Sequence, residues 1–458
     1  MCDVLVALAD ATRNGKVLFG KNSDRPAGEC QPLHYSPGGK RRPGSSVQCS
    51  YVSIPEADCV LATFGCRPYW CWGYETGLNE AGVVGGNAAV FTRGLRLAGK
   101  QEKPGLTGMD LLRFGLERGE TAEQGVEVIV HLLEQYGQWG SAVQGQDHSA
   151  GAYDNSFLLA DRKEAWVLET SGRRWVAERV TSGVRSISNQ LSIRSHWAKA
   201  SKDLLEFARQ QGWWSGDESG LDWALVYADH DHYSRQVSHL RWRRSQHLLQ
   251  VHRGALDAPT MMHILRDHYE DTFLEGPQFH PYLPDFMTLC MHDSPAGFTW
   301  GNTATSVVVE LDPQKPAPPP FWLAYLPPCT SLYAAYFLGA RLPAVITRPG
   351  SAGMKVQPPG EAPKDNFSEK SFWWRCHRLL EEVRQRPLER HRELRAVFDP
   401  VEKNNLARVQ ELLARPSPTE NQQTRLVEEE VAEMTAALET LEQRWNLQPA
   451  RVGRGARE

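Results

Sequence analysis

Short β-prone runs, broken by glycine and polar turns, dominate most of the first 345 residues, and helical spacing takes over at defined places. Residues 4–8 and 16–20 are apolar strand-like runs separated by Asn14-Gly15, a tight-turn dipeptide, which predicts a hairpin. The second run leads into the polar cluster Lys21-Asn22-Ser23-Asp24-Arg25-Pro26, which hairpin pairing brings back beside residue 2. Further short strands are expected between 50 and 91, where Gly85-Gly86 precede Asn87 and let a neighbour approach the backbone.

Helical periodicity begins at 107–118 and again at 122–136, where Thr121 is the N-cap and Val126, Ile129, Val130 and Leu133 share one face. Strands return at 156–160, 165–170, 174–180 and 184–188, joined by short polar turns as an antiparallel meander that ends at Ser188-Asn189-Gln190. Residues 196–276 read as helical, and two last strands fall at 305–311 and 321–326. Segregated runs of strands and helices predict an α+β fold with antiparallel sheets rather than a doubly wound parallel one. The expected organisation is a main domain over 1–345, a Pro/Gly-rich linker over 346–365 and a helical C-terminal extension over 366–458. In that extension Val427, Val431, Met434, Leu438, Leu441 and Trp445 form a short heptad seam. Such a seam packs on its own domain or serves a homo-oligomer contact, and the sequence leaves both open.

Composition narrows the function. The 458 residues carry a formal net charge of −4, which argues against nucleic acid or an anionic membrane as the main partner. The absence of an 18-residue apolar run or a secretory signal, with nine irregularly spaced cysteines, predicts a reduced, cytoplasmic protein. No cofactor is implied and no metal is expected. Cys66 and Cys71 lack a second matching pair, and Asp229-His230-Asp231-His232 reads as a solvated turn.

The chemistry centres on Cys2. Once Met1 is removed, this one residue holds a thiol and a free α-amine that can act as its base, directly or through a water. An α-amine titrates near 8, so its neutral form is accessible at physiological pH. Asp24 is the candidate that orients the amine, and Asn87 and Asn189 are candidate donors to an oxyanion. Asn22 and Arg25 could each hold a substrate or brace the turn. His292, in Cys290-Met291-His292-Asp293, could border the site or be a packed loop histidine. Arg25, Arg67 and Arg194 are available for the charged ends of a small peptide.

Seven stretches in one order carry a resemblance. They are FGKNSDRP at 19–26, GLNEAGVVGGNAA at 77–89, GMDLLRFGLERGETA at 108–122, EAWVLET at 164–170, SISNQLSI at 186–193, RDHYEDT at 266–272 and APPPFWLAYLPPCTSLYAAYFLG near 317–339. Together they resemble the dipeptidase and secernin family of N-terminal-nucleophile cysteine hydrolases, distant relatives of the penicillin V and bile-salt acylases. The resemblance implies a four-layer αββα sandwich, Cys2 as nucleophile, Asp24 against its amine, and Asn87 and Asn189 as oxyanion or substrate-positioning amides. The acylase branch has an arginine where this chain has Lys21, which keeps the charge but loses the bidentate fork. The expected activity is hydrolysis of a small amide or dipeptide through a Cys2 thioester. An N-acyl amidase or acyltransferase of the same fold and a non-enzymatic interaction protein are the alternatives.

Overall fold

In the computed structural model β1 (Cys2–Ala7) and β2 (Val17–Pro26) pair antiparallel, with Cys2 opposite Ser23 and Ala7 opposite Leu18. The residues described are 1–98, 103–217, 220–233, 236–275, 287–293, 301–315, 317–415 and 417–447. The hairpin was legible in the sequence, but its second strand is longer than expected. The polar cluster 21–26 is not a turn. It continues as strand, because both faces of β2 are covered and each polar side chain finds an internal partner.

In chain order the further strands of the two main sheets are β3 (Leu33–Ser36), β4 (Thr63–Cys66), β5 (Thr76–Asn79), β6 (Val84–Val90) and β7 (Asp154–Ala160). They continue with β8 (Ala165–Ser171), β9 (Arg174–Val180), β10 (Val184–Ile187), β11 (Lys199–Ala200), β12 (Gly301–Leu311), β13 (Phe321–Tyr325) and β14 (Ala334–Tyr336). One sheet runs β10-β1-β2-β12-β13-β14 and the other β11-β9-β8-β7-β6-β5-β4-β3. The sheets face each other through β1 against β6 and β7.

The expected meander holds for β7, β8 and β9, but β10 leaves it and pairs with β1, Val4 opposite Ile187. A bond from Leu8 N–H to the Gly183 carbonyl and one from Gly183 N–H to Asp10 Oδ1 fix this crossing. The crossing matters, because it delivers Asn189 to the first residues of the chain.

Helices close both outer faces. α1 (Gly108–Arg118) and α2 (Ala122–Tyr136) cover the eight-stranded sheet. Thr107 and Asp110 form a capping box at the first, and Thr121 caps the second as its sequence predicts. α3 (Gln236–Val251) and α4 (Ala258–Leu265) cover the six-stranded sheet. Gly20 lets α4 lie close on β2, since a Cβ there would come within 2.7 Å of Met261. The helical reading of 196–276 ends early, its last helix stopping at Leu265, and Tyr269 (φ 67°) and Asp271 (φ 58°) turn the chain in the left-handed region. The result is four layers, helix, sheet, sheet, helix.

The C-terminal α5 (Phe372–Gln385), α6 (Pro387–Leu413) and α7 (Glu420–Arg444) pack on one another and on β14. Val427, Val431, Met434, Leu438, Leu441 and Trp445 are buried within the chain's own core, so the heptad seam is used internally. The 346–365 stretch is laid against the core, with Lys355 and Gln357 N–H groups bonded to the carbonyls of Tyr69 and Trp70. Among the described residues no helix is long and apolar enough to cross a membrane.

Candidate active site

Strand alternation decides what Cys2 meets. Cys2, Lys21, Ser23 and Arg25 share the inner face of the six-stranded sheet, looking toward β6. Gly86 on β6 makes room there: a Cβ would lie 2.5 Å from the Lys21 side chain, the close approach that the paired glycines anticipate. Lys21 Nζ donates to the Glu75 carbonyl and sits 3.2 Å from Glu75 Oε2. Arg25 Nη1 donates to Glu75 Oε1 at 3.1 Å, while its Nε meets Glu29 at 2.6 Å. The Cys2 thiol faces the same carboxylate, Sγ to Oε2 3.7 Å.

These groups are buried together, and the electrostatics follow. Burial pushes the Glu75 carboxyl upward, but Lys21 and Arg25 more than offset this and hold it below its ordinary value. Burial also raises the Cys2 thiol; Lys21 draws it back and Glu75 opposes. A raised thiol stays protonated and needs a base before it can attack.

On the other side of β1 lies a second cluster. Arg241, fully buried on α3, pairs with Asp3 and donates to Asn189 Oδ1 at 2.8 Å; it also lies 3.4 Å from the Cys2 carbonyl and 3.7 Å from Asp24 Oδ2. Asp24 Oδ1 accepts from Thr303 Oγ1 at 2.8 Å. Burial pushes Asp24 up to about 7, against the pull of the chain's amine and of Arg241. Asn189 joins the two clusters. Its Oδ1 accepts from the Cys2 backbone nitrogen at 2.9 Å and its Nδ2 donates to the Ala89 carbonyl at 2.8 Å. Met1 caps the assembly: its amine donates to the Asp24 carbonyl at 2.6 Å, and burial lowers the pKa of that amine.

A cavity of about 240 Å³ opens beside Asn189. Phe91 and Tyr233, stacked at 4.2 Å, line it with Leu191, Trp242 and Arg194. Arg194 is itself paired with Asp222.

The structure therefore gathers Cys2, Lys21, Arg25, Asp24 and Asn189, and it leaves three expected residues elsewhere. Asn87 shares the opposite face of β6 from Gly86, paired across from Phe157, and its Nδ2 donates to Asn155 Oδ1 at 3.1 Å beneath α1. Asn22 points outward and ties the carbonyls of Leu265 and Leu289 at 2.8 and 2.7 Å, so it braces α4. His292 is buried against Cys329, Cys290 and His268, not beside Cys2. Arg67 is buried against the Trp72 carbonyl. In the Asp-His run, Asp229 is buried and meets His232 Nδ1 at 2.9 Å.

Sequence reasoning missed Glu75 and Arg241. Arg241 had a signal: on a helix it shares a face with Ser245 and Leu249, both buried, so one of the three arginines in Arg241-Trp242-Arg243-Arg244 had to turn inward. Glu75 had none, since its partners come from another sheet.

Two antiparallel sheets face each other, helices cover both outer faces, and a cysteine opens a central strand. Residues 71–277 match the model of peptidase family C69. Among solved structures the chain is similar to a conjugated bile acid hydrolase from Clostridium perfringens, 13% identical over 71% of this chain and 89% of that one, TM-score 0.39. It is also similar to the N-acylethanolamine-hydrolyzing acid amidase ortholog of Caenorhabditis elegans, 13% identical over 69% and 94% of the two chains, TM-score 0.33.

Proposed function

We propose that the protein hydrolyses the C–N bond of a small amide, dipeptide-like in size, with Cys2 as an N-terminal nucleophile once Met1 is gone. The observation that carries this reading is the 2.9 Å contact between Asn189 Oδ1 and the Cys2 nitrogen, the atom that becomes the α-amine. The amine takes the thiol proton, Sγ attacks the substrate carbonyl carbon, and the tetrahedral oxyanion collapses as the protonated leaving amine departs. Water then hydrolyses the thioester, its hydroxyl going to the acyl carbon and its proton passing through the neutral amine to the departing Cys2 thiolate, which restores the thiol. Asn189 holds the amine through its oxygen, and one Nδ2 hydrogen remains beyond the bond to Ala89 for the oxyanion. The Lys21 cation beside the thiol stabilises the thiolate as it forms.

The cavity supports a small substrate, since about 240 Å³ holds a dipeptide-sized group and no folded chain. Its apolar lining by Phe91, Leu191, Tyr233 and Trp242 favours a second reading, an N-acyl amide whose acyl chain enters there. Turnover of a panel of dipeptides and N-acyl amino acids by wild type, Cys2→Ser and Cys2→Ala tests both. Loss in both variants is expected; full activity in Cys2→Ala overturns the mechanism.

A further inference from the structure

Two of the seven stretches quoted above and the Cys290–Asp293 loop converge away from Cys2. His268 comes from the RDHYEDT turn after α4, Cys290 and His292 from the segment before β12, and Cys329 from the short 3-10 turn Pro328–Thr330 after β13. All four side chains are buried, and their ligand atoms lie within 4.8 Å of one another. His268 Nε2 and His292 Nε2 are 3.3 Å apart; His292 Nε2 is 3.7 Å from Cys290 Sγ and 3.1 Å from Cys329 Sγ.

We propose that His268, Cys290, His292 and Cys329 form a structural Cys2His2 site for a zinc ion. The spacings are those of the edges of a coordination tetrahedron. Bonds of about 2.0–2.1 Å to nitrogen and about 2.3 Å to sulfur place two nitrogens about 3.3 Å apart and a nitrogen and a sulfur about 3.5 Å apart. Two thiolates with two imidazoles select zinc over the hard cations, which prefer oxygen. Four protein ligands close the coordination sphere, which fits a structural role and leaves no position for substrate. The outer groups agree. Glu270 Oε1 lies 3.1 Å from His268 Nδ1, the carboxylate-to-histidine contact that fixes a metal-binding tautomer, and His391 Nε2 meets the Cys329 carbonyl at 3.1 Å.

The site clips three segments distant in sequence, and one of them reaches Cys2's surroundings. Met291, between two of the ligands, exchanges 3.0 Å hydrogen bonds with Thr303, once through the Thr303 backbone N–H and once through its hydroxyl. Thr303 Oγ1 in turn donates to Asp24 at 2.8 Å. The ion would thus act as a positioning element for Asp24, through Met291 and Thr303.

Metal analysis of the full-length protein, produced with zinc in the medium, tests this without reference to turnover. One equivalent of zinc per chain is expected, retained in Cys2→Ala and lost in Cys290→Ser and in Cys329→Ser. Cobalt replacement should give tetrahedral ligand-field bands with thiolate charge transfer in the wild-type chain, which needs no variant to fold. Wild-type protein with far less than one equivalent of any transition metal overturns the proposal, as does a mass two hydrogens lower with Cys290 and Cys329 joined as a disulfide. Zinc that persists in the Cys290→Ser, Cys329→Ser double variant overturns it too. Because Cys2→Ala keeps the metal but not turnover, failure of this site and failure of the hydrolase reading are distinguishable.

Discussion

The carboxamide oxygen of Asn189 lies 2.9 Å from the backbone nitrogen of Cys2, and Arg241 holds the same oxygen from the other side at 2.8 Å. Asn189 is therefore locked by donors on both sides at the point where β10 returns to β1. Replacing it with alanine removes the group proposed to orient the amine and meet the oxyanion. A fall in kcat of about 10²–10³ is expected, the range for losing one such donor. Steady-state kinetics of Asn189→Ala on an amide turned over by wild type checks this.

Asn87 separates the geometry from the resemblance. It faces α1 and bonds Asn155, so Asn87→Ala should change stability more than turnover. A loss of about 1–3 kcal/mol is expected for a buried hydrogen bond broken from one side. Urea unfolding beside the kinetics of the same variant reads both.

Glu75 is the counter-ion of two buried cations, Lys21 and Arg25. Glu75→Gln leaves the Lys21 cation without its carboxylate while Arg25 keeps Glu29 at 2.6 Å, and breaking a buried pair from one side costs about 3–5 kcal/mol. The same change removes the carboxylate that raises the thiol, so in the folded variant Cys2 should alkylate faster at neutral pH. Because the Glu75 carboxyl is held low in the folded state, its stabilisation is present above its ordinary value and lost as pH falls through the depressed one.

Asp24 titrates in the opposite sense. Its folded value is raised to about 7, so the folded state holds its proton more tightly than the unfolded one. This contribution to stability is full below the ordinary value of about 4 and is lost as pH rises toward 7. Melting temperatures across that window should fall for wild type relative to Asp24→Asn, which carries no titrating group there.

Much of this architecture was legible in the pattern of residues, and the misses have physical causes. The Thr121 cap and the β7-β8-β9 meander are local, and capping and turn chemistry identified them. The β1-β2 hairpin was also legible, but it closes through residues 8–16 with a 3-10 turn at Ala9–Ala11 rather than a tight Asn14-Gly15 turn. The departure of β10 to the other sheet is set by long-range partners, Leu8 and Asp10, which no periodicity reveals. Asn87 was misplaced for a similar reason: residue type suggested a role, but one step along a strand decides which face it serves. Lys21 to Arg25 were read as a polar turn because a strand buried on both faces can hide charge only when partners such as Glu75 and Arg241 arrive from elsewhere.

The central claim is that Cys2, exposed as the first residue, carries the acyl group. Acid-quenched peptide mass spectrometry during turnover of an amide substrate tests it most directly. The account predicts an N-terminal peptide that begins at Cys2 and bears the acyl group as a thioester. A turning-over enzyme whose N-terminal peptide still begins with Met1, or whose acyl group sits on another cysteine, would contradict it.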